Sequence, residues 1–212
     1  MGDALLASLI WRPGRHMDDG WWDAFGLAAW RASYRKHPAC RASVDRLLIE
    51  RRGWPDATRP GDCAPAMSDA AHAMLRSVAN LRRMAIAYGL RSFGCPDYLL
   101  LGNYRRALSP WLDAWQCDRL LLTRQDWPEI RALSPDAIVS AALAHTGECL
   151  DAAQPTGSVS DDGVATVRVA ARLLLPPPPR TSSTLMDSPV ADDIWPRLAA
   201  LERMLCMSST TH

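Results

Sequence analysis

The side chains that most often carry catalysis or bind metals occur here without the spacing that either task requires. His37 and Cys40 are the nearest pair of metal-ligand types, but Pro38 lies between them and no second pair follows at zinc-site spacing. The chain contains no GxSxG turn, no cysteine-protease signature, no Walker loop and no dinucleotide-binding glycine fingerprint. The sequence therefore predicts no catalytic residue, no metal and no cofactor.

Charged residues occur in pairs, and each pair has an ordinary structural explanation. Asp161–Asp162 and Asp192–Asp193 stand at expected loops and helix starts, where aspartate caps free backbone N–H groups. The arginine pairs are balanced by 23 acidic residues and indicate solvated faces with local ion pairs: Arg51–Arg52, Arg82–Arg83 and Arg105–Arg106. A net charge of +1 gives no electrostatic case for a nucleic-acid partner.

The tryptophans are the side chains that most strongly suggest a binding role. Nine Trp stand against two Phe, and tryptophan supplies either core anchors or the hot spots of protein interfaces. Two segments combine them with helical periodicity, one near residues 21–30 and one near 195–205, and a helix of this kind can dock into a partner's groove. Packing within the chain's own core is the alternative. The partner-binding candidates are Trp21, Trp22, Trp30, Trp195, Leu198 and Leu201.

Helical periodicity dominates the first 150 residues, which must position these side chains. An apolar stripe after Asp18–Asp19 predicts a helix to about residue 35, and a short second helix covers 44–51. Ser68 with Asp69 predicts the start of the clearest helix, which Gly94 ends. Its apolar face is Ala71, Met74, Val78, Leu81, Ala85 and Tyr88.

Three further helix starts follow from capping signals. Ser109–Pro110 places an N-cap before a proline at the first helical position, ahead of Trp111 to Leu120. Asp126 to Glu129 has the spacing of a capping box, and Ser134 to Asp136 repeats the start signal. From there an apolar face runs from Ile138 to Leu150.

Beyond residue 163 the period changes to two. Val167, Val169 and Ala171 alternate with polar or smaller residues, which predicts a minor β element near 164–175, with Leu5–Trp11 or Leu99–Leu101 as its partner strand. The fold class is therefore mainly α, a single helical domain with this minor strand. The predicted organisation is a domain over 1–175, a Pro-rich linker over 176–190 and an amphipathic C-terminal helix over 191–207.

Cysteine usage and hydropathy indicate the compartment. The six cysteines are spread almost evenly without a CxxC pair, which favours reduced, structural thiols in the cytosol. The apolar stretch near the N-terminus has Asp3 before it and Arg12 and Arg15 after it, the reverse of a signal peptide. No uninterrupted apolar run approaches the ~20 residues that span a bilayer.

Several segments carry a resemblance to a known family. They are His16 to Trp22, the LRRMAIAYGLR of Leu81 to Arg91, the LSPW of Leu108 to Trp111, the VRVAARLLLP of Val167 to Pro176, and the terminal amphipathic helix. In these the sequence resembles the SctK-like cytosolic accessory subunits of bacterial type III secretion systems, particularly the NolU-type nodulation proteins of rhizobia.

The resemblance implies a non-enzymatic role in protein transport. Such subunits are cytoplasmic adaptors of the sorting platform, peripheral at the inner membrane through the cytoplasmic domain of the membrane ring and a cytosolic pod protein. In rhizobia the exported effectors influence nodulation. Two alternatives stay open: a small helical enzyme or regulator with a pocket lined by Trp and Arg, and a chaperone or adaptor for a single partner.

Overall fold

The mainly α fold predicted from the sequence is confirmed by a computed structural model, which describes residues 2–54, 67–123, 133–152, 162–178 and 193–206. Within those ranges the regular elements are all helical. The α-helices are α1 (Gly2–Trp11), α2 (Gly20–Ala24), α3 (Ala28–Lys36), α4 (Arg41–Arg52), α5 (Asp69–Val78), α6 (Leu81–Phe93), α7 (Asp97–Leu100), α8 (Gly102–Leu108), α9 (Ala114–Leu122), α10 (Pro135–Ala152), α11 (Asp162–Arg172) and α12 (Trp195–Cys206).

The chain forms two compact units. Unit 1 comprises Met1–Ala79 and Pro155–Pro179, and unit 2 comprises Asn80–Gln154 and Arg180–His212. Most of the predicted Pro-rich linker at 176–190 lies outside the described residues. The domain boundaries inferred from the sequence therefore remain predictions.

Unit 1 is built on the N-terminal segment. Leu6, Leu9 and Ile10 are buried on one face of α1, at the three- and four-residue spacing of an amphipathic helix, and α1 packs against α4, α5 and α11. The expectation that Leu5–Trp11 pairs as a strand is wrong, because this spacing buries its apolar residues only in a helix.

The single helix predicted from residue 18 to 35 is divided into α2 and α3. Gly26 lies between them at φ +70°, a left-handed conformation that interrupts a helix and suits glycine. The predicted start is confirmed, since Asp18 Oδ1 accepts a hydrogen bond from the Gly20 N–H at 2.9 Å. Trp22 and Tyr34 then pack together in the core with Val44 of α4.

The helix predicted from Ser68 to Gly94 begins and ends where the sequence indicates, but it is divided. The Ser68 hydroxyl accepts from the Ala71 N–H at 3.1 Å as an N-cap, and Gly94 ends α6 in the left-handed conformation. Between these ends, α5 stops at Val78 and α6 starts at Leu81. The interruption coincides with the boundary between the two units.

The predicted β element near 164–175 is wrong, because this segment forms α11 and a following turn. Gly163, Val167, Ala170 and Ala171 are its buried residues, a spacing of four, three and one that defines one helix face. The Arg52 guanidinium donates to the Val169 carbonyl at 2.6 Å, which links α4 to α11. Burial in this position lowers the pKa of that guanidinium to about 10.

Unit 2 is organised around α6, which is buried along most of its length. It crosses α10 closely at Gly89, where an added Cβ would lie 2.6 Å from both the Cα and the carbonyl oxygen of Ala142. One turn further along α10, the Thr146 hydroxyl lies 2.7 Å from the Ala85 carbonyl oxygen, to which it donates across the two helices. The absence of a side chain at residue 89 therefore sets the distance between α6 and α10.

The helix start predicted at Ser109–Pro110 is wrong, because that dipeptide forms the turn after α8. The next helix, α9, begins at Ala114 behind Asp113, whose carboxylate accepts from the Gln116 N–H at 2.8 Å. The Gln116 side chain accepts in return from the Asp113 N–H, which completes a capping box. A reciprocal pair satisfies two free N–H groups, whereas Ser109 makes no such pair. The capping box predicted at Asp126–Glu129 lies outside the described residues.

The last two helices of unit 2 start at predicted signals. Pro135 is the first residue of α10, after Ser134, as the sequence indicated. The Asp193 carboxylate accepts from the Trp195 N–H at 3.2 Å where α12 begins. Helix α12 packs on α6 and α9. The expected strand partner at Leu99–Leu101 is also wrong, since α7 includes its first two residues.

Candidate functional site

Trp21 and Trp22 make their main contacts within unit 1. Trp22 is only 2% exposed and packs against Tyr34 with ring centroids 5.3 Å apart. The Trp21 indole N–H donates to the Leu175 carbonyl at 2.8 Å, and its ring stacks on Phe25 at 5.1 Å. Trp21 thereby anchors the segment that follows α11.

Trp30 is different, because 47% of its surface is exposed. It lies in the first turn of α3, whose buried residue is Tyr34. The charges beside it on this helix are in part paired, since Arg31 and Arg35 both donate to the Asp19 carboxylate. Trp30 is the sequence-predicted candidate with the largest accessible apolar area.

The candidates of the C-terminal helix lie in the core of unit 2. Trp195, Leu198 and Leu201 are all buried on the face of α12 that packs within that unit. The six candidate residues are therefore divided between the two units, three in each, and do not form one cluster. Whether any of them contacts a partner stays a prediction.

Sequence reasoning missed the main exposed apolar surface of unit 2. Among the described residues, six large apolar side chains are exposed, and four of them lie close to α7 and α9 in the sequence. Leu100 is the last residue of α7 and Leu101 follows it, whereas Trp115 and Leu122 lie on α9. Leu122 is 80% exposed. The run Leu120–Leu122 was an available signal, since three consecutive leucines cannot all face one side of a helix. We call the group Leu100, Leu101, Trp115 and Leu122 the α9 surface.

The charged side chains beside the α9 surface form one ion pair and one cation–π contact. The Arg105 guanidinium donates both to the Leu99 carbonyl at 2.6 Å and to the Asp118 carboxylate, which ties α7 to α9. Asp118 lies between Trp115 and Leu122 at helical spacing of three and four. The Arg119 guanidinium lies 5.3 Å from the centre of the Trp115 ring. The surface is thus largely apolar, with one ion pair and one further guanidinium that lies against an aromatic ring, and tryptophan and arginine are both enriched in protein interfaces.

A buried polar network in unit 1 supports structure. The Asp45 carboxylate accepts from the Gly14 N–H at 3.1 Å and from the Tyr34 hydroxyl at 3.0 Å. Burial raises the pKa of Asp45, although these two hydrogen bonds and the charge of Arg15 act in the opposite direction. Burial and the charge of Asp45 also raise the pKa of Tyr34. Every acceptor and donor here serves to join segments of the unit.

The Cys and His side chains make contacts with neighbouring groups of their own units, and the Ser8 hydroxyl lies 2.8 Å from His16 Nε2. Cys149 Sγ lies 3.8 Å from His145 Nε2, one turn apart on α10. Burial raises the pKa of the Cys149 thiol and lowers the pKa of His145, so both are neutral near pH 7. The Cys40 thiol donates to the His37 carbonyl at 3.1 Å. Among the described residues, no three of the types His, Cys, Asp and Glu are grouped as metal ligands.

A cleft of about 450 Å³ lies in unit 2, where α6 and α12 pack against each other. Helices α6 and α12 contribute three lining residues each, one of which is an arginine on either helix. The lining residues are Tyr88, Arg91, Ser92, Arg197, Ala200 and Leu201.

Comparison with known families decides the identity of the chain. A family model described as "Type III secretion system subunit" matches residues 4–177, well over half of the sequence. The chain belongs to the type III secretion system subunit family. No curated protein and no solved structure was found to match it.

The match places most of the candidate surfaces inside the part that this type III secretion subunit shares with its family. Trp21, Trp22, Trp30 and the α9 surface all lie within residues 4–177, whereas α12 follows the matched range. The cleft therefore combines a matched helix with an unmatched one. No helix among the described residues is long and apolar enough to cross a membrane.

Proposed function

We propose that this type III secretion subunit is a non-enzymatic adaptor of the cytosolic sorting platform, of the SctK type. It would link the cytoplasmic domain of the inner-membrane ring to the cytosolic pod protein that recruits export substrates. Family membership carries the coarser part of this proposal. The resemblance at Leu81 to Arg91 and at Val167 to Pro176 supports the finer part. In a rhizobial host, loss of the protein would alter nodulation through loss of effector export.

The α9 surface is the feature that best supports an adaptor role. An exposed apolar surface of this kind costs free energy in water and gains it when a partner covers it. Its Arg105–Asp118 pair is internal, and the Arg119 guanidinium on the Trp115 ring is the one charge here that a carboxylate of the partner would compensate. A partner helix with an apolar stripe fits these conditions, and such a contact suits a subunit that works by assembly. Trp30 is a second contact candidate, in unit 1.

The chemistry of the polar clusters agrees with a non-enzymatic role. Asp45 and Tyr34 hold segments of unit 1 together through hydrogen bonds. Burial raises the pKa of the Cys149 thiol and lowers the pKa of His145, so it disfavours a thiolate–imidazolium pair at these two side chains. An adaptor requires no such pair.

The proposal is tested with one substitution on the α9 surface and a matched control. In a strain that lacks the native gene, Leu122→Asp places a charge where the leucine is exposed, so folding is retained while an apolar contact is lost. We expect an affinity loss of about tenfold or more for ring or pod subunits, since desolvating one leucine contributes roughly 1.5–3 kcal/mol. Effector export falls in parallel. The control Ala73→Asp places the same charge at an exposed position of α5.

The decisive measurements are effector export into the medium and co-purification of the ring, pod and secretion-ATPase components from cross-linked cells. Normal export in the gene deletion would refute a role in secretion. Export by the Leu122→Asp strain equal to that of the Ala73→Asp strain would exclude the α9 surface as the contact.

A further inference from the structure

The α9 surface contains one positive charge that the described part of the chain leaves without a counter-ion. The Arg119 guanidinium lies 5.3 Å from the centre of the Trp115 ring, and its Nε atom is buried without a hydrogen-bond partner. We propose that the α9 surface binds an amphipathic helix of a partner protein in which one glutamate, placed within an apolar stripe, forms an ion pair with Arg119. This inference rests on the proposed function, because it specifies the partner helix at the surface proposed for the adaptor.

Arg119 lies within the apolar stripe of α9 that faces solvent. Trp115, Arg119 and Leu122 follow one another at steps of four and three, which places them on one face of the helix. The contact between the guanidinium and the indole ring agrees with this arrangement. At a rise of 1.5 Å per residue, the face from residue 115 to residue 122 is about 10 Å long, or about two turns. A partner must therefore offer apolar groups and a carboxylate within the same two turns.

The end of α7 extends this face sideways. The Arg105 guanidinium donates to the Leu99 carbonyl at 2.6 Å and to the Asp118 carboxylate, so the backbone of α7 and the side of α9 meet at one cation. The exposed Leu100 follows directly. Asp118 is thereby engaged by Arg105, and adjacent residues on a helix do not face each other, so Asp118 does not neutralise Arg119.

A helix of another protein fits this surface better than an extended strand or a second copy of the chain. Every regular element among the described residues is helical, so this part of the chain offers no strand edge for an extended peptide to join. A symmetric pair of α9 surfaces would bring two Arg119 side chains into one interface, and like charges oppose such a contact. A partner helix presents apolar side chains at three- and four-residue spacing and can supply the negative charge.

The Arg119 side chain is held in place before a partner binds. Its contact with the Trp115 ring restricts a flexible side chain, so less freedom is lost when an ion pair forms. A partner that covered Arg119 with apolar groups alone would bury an unpaired cation, which costs free energy. When a glutamate accompanies those apolar groups, the exclusion of water strengthens its attraction to the guanidinium. The carboxylate therefore adds specificity to the affinity that the apolar contacts supply.

The inference is tested by calorimetric titration of the full chain with three helical peptides. Each is an alanine-based helix of about 20 residues, long enough to be helical in isolation, with leucines at three- and four-residue spacing. At one position within the leucine stripe the peptides carry Glu, Gln or Lys. We expect the Glu peptide to bind at least about fivefold more tightly than the Gln peptide, and the Lys peptide to bind more weakly than either.

Substitutions then locate the ion pair. Arg119→Glu should invert the order, so that the Lys peptide binds more tightly than the Glu peptide, whereas Arg119→Lys keeps the charge and should retain the original order. The matched control Arg46→Glu changes an exposed arginine of α4, in unit 1, and should leave the order unchanged. Leu122→Ala removes apolar contact without adding a charge and should weaken the binding of all three peptides. Thermal denaturation of each variant checks that the fold is retained.

Three results would overturn the inference. The first is equal binding of the Glu and Gln peptides, or binding of neither, and the second is an unchanged order of affinities in the Arg119→Glu protein. The third is a dimer of the wild-type chain in sedimentation that Leu122→Ala dissociates, since a second copy would then cover the surface. These measurements use purified protein, whereas the proposed function is tested by export in cells. The failure of one is therefore distinguishable from the failure of the other.

Discussion

The close crossing of α6 and α10 at Gly89 permits a specific prediction. Gly89→Ala should destabilise the protein, although alanine normally favours a helix. In an open helix this change gains about 1 kcal/mol from propensity. Here the new Cβ would lie 2.6 Å from the Ala142 Cα and carbonyl oxygen. Backbone atoms cannot rotate away as a side chain can, so α6 and α10 must separate. Overpacking of this kind costs about 1–3 kcal/mol and occasionally more.

The gain in helix propensity is smaller than the cost of overpacking. Contacts as short as these with backbone atoms place that cost at or above the upper end of the range of about 1–3 kcal/mol. We expect a net loss of about 2 kcal/mol in the free energy of unfolding, or a fall in Tm of roughly 4–8 °C for a chain of this size. Urea denaturation followed by far-UV circular dichroism measures the first quantity directly. The matched control is Gly102→Ala in the same unit, where an added Cβ meets nothing within 4 Å. That variant should be neutral or more stable.

A double substitution separates collision from other effects. Ala142→Gly removes the methyl group that would lie 2.7 Å from the new Cβ, but it leaves the Ala142 Cα and oxygen in place. The double variant should therefore recover part of the loss, with a coupling free energy of at least about 0.5 kcal/mol. A Gly89→Ala protein as stable as the wild type would refute the close approach of α6 and α10 on which this reasoning depends.

Two further predictions concern unit 1. Trp22→Ala should lower the free energy of unfolding by about 3–5 kcal/mol, because it leaves a cavity in the core. Trp30→Ala should change the free energy of unfolding by less than about 1 kcal/mol, because Trp30 is exposed. Equal losses of stability in urea denaturation would contradict the burial of Trp22 and the exposure of Trp30. Asp45 has a pKa raised above the value of 3.8 that applies when unfolded, so the folded protein binds this proton more tightly and loses stability as the pH rises through the interval between the two values. Asp45→Asn removes that titration and keeps an acceptor oxygen. The stability of this variant relative to the wild type should therefore increase as the pH rises from acidic to neutral. A stability difference that does not depend on pH would contradict the raised pKa of Asp45.

Signals confined to a few neighbouring residues were sufficient to predict several features of this protein. The N-cap at Ser68, the proline start of α10 and the glycine end of α6 follow from local backbone hydrogen bonding and φ preference, which act regardless of the surroundings. The mainly α class follows in the same way from apolar residues repeated every three or four positions. The capping box at Asp113 was equally local and was missed, because Ser109–Pro110 offered a competing start signal nearby.

Other features depend on groups that are distant in sequence. The apolar residues of 165–173 repeat at a spacing that fits a strand and also at one that fits a helix. The buried residues Val167, Ala170 and Ala171 lie on one helix face, so packing selects the helix. The apolar stripe of residues 69–93 continues across the interruption after Val78, so periodicity does not reveal it. At the interruption the Asn80 side chain donates to the Glu202 carboxylate on α12.

The candidate site shows the same division between sequence and structure. Composition identified tryptophan as the residue type of interest, but periodicity shows only that a helix has an apolar face, not whether another helix of the chain covers it. Trp22 and Trp195 are covered and Trp30 is not. The α9 surface and the cleft exist because particular helices pack with particular partners, which a one-dimensional pattern does not specify. The sequence thus determined the helices and several of their ends, and tertiary packing decided which apolar and charged groups remained accessible to a partner.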